Sequence, residues 1–184
     1  MKLIGFTGAA GAGKDSAARI LIERYGYKKI SFAAALKDVV ASTFGWQREL
    51  LEGGSVESRE WREAKDEWWS SKLKKDVTPR RMLQELGTDL FRNRFHSDIW
   101  ILSLEKMLID AADADNYVIT DCRFENEAEM IIANGGYVVE IVRGGGSSGG
   151  HASEAGLPAK YIYEKIYNNG TIEDLGNEIK RVMR

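Results

Sequence analysis

The sequence predicts an α/β fold in which a mostly parallel central sheet is flanked by helices. Three observations carry this. Short apolar strands at 2–7, at "NYVIT" (116–120) and at "YVVEIV" (137–142) alternate with stretches whose apolar residues recur at helical spacing. That alternation favours parallel strands joined by crossover helices. The glycine-rich "GAAGAGKD" (8–15) joins the first strand to the first helix, the kind of junction at which helix N-termini hold anions.

Each element has its own signal. The strand at 2–7 is short, apolar and followed directly by Gly8. From Asp15 to about Tyr25, Ala18, Leu21, Ile22 and Tyr25 mark the buried face of a helix. Residues 29–32 form a weaker strand, and 34–44 a helix. The texture changes over 46–77: "REWREAKDEWWSSKLKKD" is highly charged and carries Trp61, Trp68 and Trp69, which reads as an inserted helical lobe. Thr78 caps the next helix, with Pro79 at its first position and Met82, Leu83, Leu86 and Leu90 as its buried stripe. Ser97 begins another helix, with Trp100, Ile101, Leu104 and Leu108 inward. A helix over 125–134 is stopped by Gly135 and Gly136. "GGGSSGG" (144–150) can hold little fixed structure and reads as a mobile loop. "YEKIY" (163–167) supplies a last strand. Thr171 and Asp174 form a capping-box-like start to the final helix, with Ile172, Leu175, Ile179 and Val182 inward.

Composition narrows the function. With 184 residues the chain suits a single domain with room for a small inserted lobe. A net charge of −2 without a basic block argues against a polymeric nucleic acid partner, while a small anion needs only a few placed cations. Cys122 is the sole cysteine, so no internal disulfide forms and a reducing cytoplasm is the simplest setting. The apolar run in "MKLIGFTG" is too short for a signal peptide. No run approaches the ~18 residues of a membrane helix, so no membrane partner is expected.

The chemistry concentrates in a few places. Gly8, Gly13 and Lys14 fit a phosphate-binding loop, Gly-x-x-x-x-Gly-Lys-Ser/Thr, with Asp15 where the hydroxyl residue belongs. Backbone N–H groups over Gly8, Ala9, Ala10, Gly11, Ala12, Gly13, Lys14, Asp15 and Ser16 are candidates to cradle phosphate, with Lys14 reaching the terminal phosphates. A dehydrogenase reading, from "TGAAGAG" and Tyr161-x-x-x-Lys165, fits poorly. Its glycine spacing is wrong, and Lys14 is left unexplained. Asp121, just after a strand, can hold a metal ion or its waters; Arg123, two residues on, can face phosphate. The alternative for that pair is a surface ion pair. Arg81, Gln84, Thr88 and Arg92 lie at helical spacing opposite the leucines. They suit either a solvated face or a nucleoside monophosphate. Arg143 and His151 flank the glycine-rich loop, which could close over phosphates. The tryptophans could stack a base or simply pack the lobe.

These motifs together resemble the deoxynucleoside monophosphate kinases of bacteriophages, within the P-loop kinase superfamily. The resemblance runs over nearly the whole chain. Its most specific parts are the Gly-Lys-Asp loop, "LQELGTD" and "DCRFENEAE"; "HSDIWI", "HASE" and "IYNNGTIEDL" add to it. It implies a P-loop kinase fold over 1–184, with a monophosphate-binding lobe at 46–77 and a lid at 143–155. It implies ATP and Mg²⁺ as cofactors and transfer of phosphate to a deoxynucleoside 5′-monophosphate, in the cytoplasm, of the host if the chain is phage-encoded. A homodimer stays open. Lys14, Arg123, Asp121 and Arg143 are then the catalytic candidates, with Asp15 and Asp121 toward the metal. Lys37, Trp69, Arg81, Gln84, Thr88, Arg123 and His151 are the acceptor candidates. Asn168 and Asn169 are expected near adenine. Alternatives are a P-loop kinase for another phosphorylated acceptor, phosphomevalonate among them, and a nucleotide-dependent switch. A GTPase switch would carry Asp-x-x-Gly and Asn-Lys-x-Asp, and neither string occurs.

Overall fold

The computed structural model describes residues 2–111, 115–144 and 156–183. Of the loop expected at 144–150 only Gly144 lies within them; most of the lid and His151 lie outside. Five strands, β1 (Leu3–Thr7), β2 (Lys28–Ile30), β3 (Tyr117–Ile119), β4 (Tyr137–Val142) and β5 (Ile162–Tyr167), form one sheet. Their order is β2-β3-β1-β4-β5, and all four pairings are parallel. β1 is central and buried at every position, which explains its continuous apolar run. The chain leaves β1 toward β2 on one side and later reaches β4 on the other. The carboxyl ends of β1 and β3 therefore flank a topological switch point, where α/β sheets bind ligands. The register pairs Gly5 with Ile119, so Thr7 and Asp121, each two residues further along, fall at one level.

The chain forms two compact units, Met1–Phe32 with Leu104–Arg184, and Ala33–Ser103. The first holds the sheet with α1 (Lys14–Tyr25), α7 (Glu125–Ala133) and α8 (Ile172–Val182). Its core joins Ile4 and Phe6 of β1 to Ala17, Ala18 and Leu21 of α1 and to Leu175 and Ile179 of α8. Two expected core positions are exposed instead: Ile22 (38%) and Ile172 (60%). On α1, Ala17 and Ile20 take the buried face with Ala18 and Leu21. Ile172 opens α8, before the turn at which Leu175 reaches the core.

The second unit holds α2 (Ala34–Phe44), α3 (Val56–Glu63), α4 (Glu67–Leu73), α5 (Pro79–Gln84) and a π-helix (Glu85–Phe95); α6 (Ile99–Asp110) begins in it. The expected lobe at 46–77 falls inside this unit. Helices of six to eight residues are marginal alone. Ser55, Asp66 and Thr78 each accept a bond from the backbone three residues on, worth about 1 kcal/mol apiece. The aromatic residues make the local core. Phe44 stacks on Trp46 at 4.5 Å between centroids and meets Trp69 edge-on at 4.9 Å. The Trp46 indole N–H donates to Asp66 (2.8 Å) and that of Trp69 to the Phe44 carbonyl (3.0 Å).

"LQELGTD" departs from expectation. The sequence predicts one α-helix from Thr78 onward, whereas the turns widen to π geometry after Gln84. Two contacts accompany the change. A Cβ on Gly87 would stand 2.5 Å from Leu36 Cδ2, so glycine permits the close approach of α2. The buried Trp100 indole N–H donates to the Gly87 carbonyl at 2.9 Å. Wider turns also re-phase the leucine stripe: Met82 is buried, Leu83 and Leu86 are half-buried, and Leu90 is 45% exposed. Trp100→Phe would leave that carbonyl without its indole donor, at a cost of about 1–3 kcal/mol. Urea unfolding should show the loss; an unchanged midpoint would mean that the bond does not hold this segment.

Candidate active site

The site begins with the loop after β1. Gly8 and Gly13 have φ of +134° and +106°, conformations that L side chains rarely adopt. Each is also crowded: a Cβ would lie 2.2 Å from the Ile141 carbonyl at Gly8, and 2.2 Å from Asn168 Nδ2 at Gly13. Gly13 is the N-cap of α1 and supplies no side-chain cap, so the first N–H groups of the helix are offered to the loop.

Lys14 folds back over this loop. Its Nζ donates to the carbonyls of Gly8 (2.6 Å) and Ala9 (2.8 Å). Its pKa is lowered to about 8, by burial first and by Arg123 next, while Asp15 and Asp121 pull the other way. Three residues chosen from the sequence thus act on one ammonium. Asp15 opens α1, where the helix dipole favours an anion, and pairs with Lys29 at 2.7 Å. Both side chains are well exposed (62% and 41%), and such a pair is worth about 0–1 kcal/mol.

Asp121 follows β3, and its carboxylate accepts from the Ser31 hydroxyl (2.7 Å) and the Phe32 N–H (3.2 Å). Those bonds fix its position at the end of the sheet. Arg123 is exposed, but its backbone is tethered. The Glu127 carboxylate, 2% exposed, accepts from the N–H groups of Arg123 (2.7 Å) and Phe124 (3.1 Å). Phe124 caps α7 without an acceptor of its own, so Glu127 reaches back from the first turn. Glu127 is not among the candidates the sequence motifs supply; its signal is an acid three residues into a helix. Cys122 is buried, and burial pushes its thiol far above the ordinary value, which makes it packing rather than a nucleophile.

The other candidates divide between the units. In the first, Asn169 Oδ1 accepts from the Gly144 N–H at 3.1 Å, next to the exposed Arg143. Asn168 is buried, and its amide donates to the Ala12 carbonyl at 2.8 Å. In the second, the Lys37 side chain is 12% exposed and pairs with Glu52 at 2.6 Å, and Arg48 binds the same carboxylate. Burial works to raise the Glu52 carboxyl, but its bonds from Lys37 and Arg48 prevail and hold it below the ordinary value. Arg81 pairs with Glu85 at 2.6 Å and donates to the Asp76 carbonyl at 2.9 Å. Gln84 and Thr88 are half-buried on α5 and the π-helix, and Arg92 reaches the Ser97 carbonyl at 3.4 Å. Trp69 sits in the aromatic cluster. Among the described residues no group of three or more His, Cys, Asp or Glu could by itself hold a metal ion. None of their helices is long and apolar enough to cross a membrane.

A glycine loop between central strand and helix, its lysine, and an acid on the neighbouring strand define a P-loop phosphotransferase. The sequence profile of deoxynucleotide monophosphate kinases matches residues 48–179. A protein of Acanthamoeba polyphaga mimivirus, provisionally named deoxynucleotide monophosphate kinase, is 35% identical over 97% of this chain and 94% of its own. The deoxynucleoside-5′-monophosphate kinase of Escherichia phage T5 is 28% identical over 90% of this chain and 89% of its own. The deoxynucleotide monophosphate kinase of Escherichia phage RB69 is 38% identical over 57% of this chain and 44% of its own. The chain belongs to the deoxynucleotide monophosphate kinase family and is an enzyme of that family.

The Lys14 shift has a definite sign. Between about 8, its folded pKa, and the ordinary 10.5, the unfolded chain keeps a proton that the folded chain has released. Stability therefore rises with pH across that window. Without nucleotide or metal, the unfolding free energy of the parent relative to Lys14→Met should shift in the parent's favour as pH climbs from 8 to 10.5. A flat difference across the window would place Lys14 in water.

Proposed function

We propose that this chain transfers the terminal phosphate of ATP to a deoxynucleoside 5′-monophosphate, giving the diphosphate and ADP. The observation that carries this is the positive-φ glycine loop after the central strand, with Lys14 bonded over it to the Gly8 and Ala9 carbonyls and Asp121 fixed just past the neighbouring strand. The first unit carries the donor machinery. Loop N–H groups and Lys14 bind the donor phosphates, Lys14 exchanging its bonds to Gly8 and Ala9 for phosphate oxygens. Asn169 lies on the nucleoside side. Asp121 and Asp15 would hold Mg²⁺ or its waters. Two carboxylates suffice, since Mg²⁺ keeps several waters and takes phosphate oxygens readily. When bound, it offsets the charge of the donor's terminal phosphates.

Arg123 and Arg143 neutralise the transferring group. The acceptor phosphate is already an anion, so no strong base is needed, and catalysis is alignment and charge compensation. In the second unit, Lys37, Arg81, Gln84 and Thr88 are the acceptor residues, with Trp69 as a base contact. Lys37 and Arg81 now face the carboxylates of Glu52 and Glu85, which occupy them as a phosphate would. His151 belongs to the acceptor set by resemblance alone.

Release of ADP measured with a panel of deoxynucleoside and nucleoside monophosphates tests the reading. Stimulation by deoxynucleoside monophosphates is expected. Stimulation by none would defeat it, and stimulation by another phosphorylated acceptor alone would favour the related kinase. Arg123→Ala should cut turnover by about 10³-fold or more while ATP binding persists. A loss under tenfold would make Arg123 structural. For Asp15→Ala the Mg²⁺ concentration giving half-maximal rate should rise several-fold. An unchanged requirement would leave Asp15 as the partner of Lys29 only.

A further inference from the structure

We propose that Asn168 is a positioning residue for the donor phosphates. It sets the orientation of the Ala12–Gly13 peptide in the loop, and so the direction in which the Gly13 N–H is offered. The proposal rests on the phosphate-loop reading above and assigns Asn168 a task other than contact with a base. Its backbone is fixed first. Asn168 follows β5 directly, and its N–H donates to the Val142 carbonyl at 2.8 Å, continuing the β4–β5 ladder by one rung. The side chain is only 8% exposed, and its Nδ2 donates to the Ala12 carbonyl at 2.8 Å, across 156 positions of sequence. A carbonyl only accepts, so this partner determines which way round the amide sits.

The loop is shaped to receive that amide. Gly13 lies directly below it, and any Cβ there would stand 2.2 Å from Nδ2. A trans peptide is planar, with its carbonyl and N–H pointing in opposite directions. Holding the Ala12 carbonyl toward β5 therefore aims the Gly13 N–H away from β5. Glycine at φ +106° has no intrinsic preference strong enough to do this alone. Asn169 ties the same corner to the segment after β4, through the Gly144 N–H at 3.1 Å. The loop's anion-facing geometry is thus held from the sheet's far edge as well as by its own bonds, the Ala12 N–H to the Ala9 carbonyl at 3.2 Å and Lys14 to the Gly8 and Ala9 carbonyls.

Two variants and two ligands test this. Asn168→Asp keeps the shape but turns an acceptor toward the Ala12 carbonyl; Asn168→Ala removes the donor and adds no charge. Calorimetric titration would compare ATP with inorganic tripolyphosphate, which has phosphates but no base. Thermal melts would identify the folded chains. Both variants are expected to weaken both ligands by a similar factor, tenfold or more. The KM for ATP should rise in parallel, and the KM for the monophosphate should stay within twofold. Weakening of ATP with tripolyphosphate unchanged would mean a base contact and would overturn the proposal. So would a loss confined to the aspartate variant, which is charge repulsion, or equal binding by parent and alanine variant. Failure of the parent itself to bind ATP would instead remove the functional reading beneath it.

Discussion

A loop of glycine and alanine has no side chains with which to hold its own shape, and the first unit is arranged around that constraint. Positive φ at Gly8 and Gly13 gives the backbone its turn, but the same freedom leaves the turn undefined in isolation. Definition comes from three neighbours. The Ile141 carbonyl on β4 packs under Gly8, the Asn168 amide grips Ala12, and Lys14 bonds to Gly8 and Ala9. Strand order makes this possible. β1 is central and β4 beside it, so the ends of β1, β4 and β5 arrive at one edge without a long connection.

A second tier of contacts holds the charged groups. Asp121 receives two bonds from the segment after β2, and Glu127 receives the N–H groups of Arg123 and Phe124. These are charge-assisted bonds to backbone and hydroxyl donors, stronger than neutral ones. By contrast, Asp15 and Lys29 meet on the surface, where a pair contributes little. The difference separates fixed from exchangeable elements. Asp121 and the backbone of Arg123 are anchored, whereas the Asp15 carboxylate can change partners at small cost.

Much of this was legible in the sequence because it depends on neighbours a few residues apart. The loop, its strand and helix, and Asp121 with Arg123 all follow from local pattern. Thr78, Thr171 and Asp174 announced their caps in the same way. What the pattern did not reveal depends on distant partners. The Asn168 side chain reaches Ala12 across the sequence, a bond that no periodicity encodes. The π-helix was invisible because Gly87 signals only that something comes close; that it is Leu36, with Trp100 on the carbonyl, is a tertiary fact. Ile22 and Ile172 fit a helical stripe but lie at its edge and its start, where burial is decided by what packs opposite.

Charge explains why the enzyme can be weakly acidic overall and still receive polyanions. Its cations are not free surface charge: Lys14 is held by carbonyls, Lys37 by Glu52, and Arg81 by Glu85. In the proposed function each contact is one an incoming phosphate would replace, exchanging an acceptor oxygen of the protein for one of the ligand. The lowered pKa of Lys14 belongs to the same logic. The ammonium is desolvated and bonded to neutral carbonyls, and the Asp15 and Asp121 carboxylates offset its burial only in part; in the proposed function a phosphate would add to them. Binding of phosphate and retention of the proton on Lys14 would therefore favour one another, raising a pKa that is lowered to about 8 in the free protein.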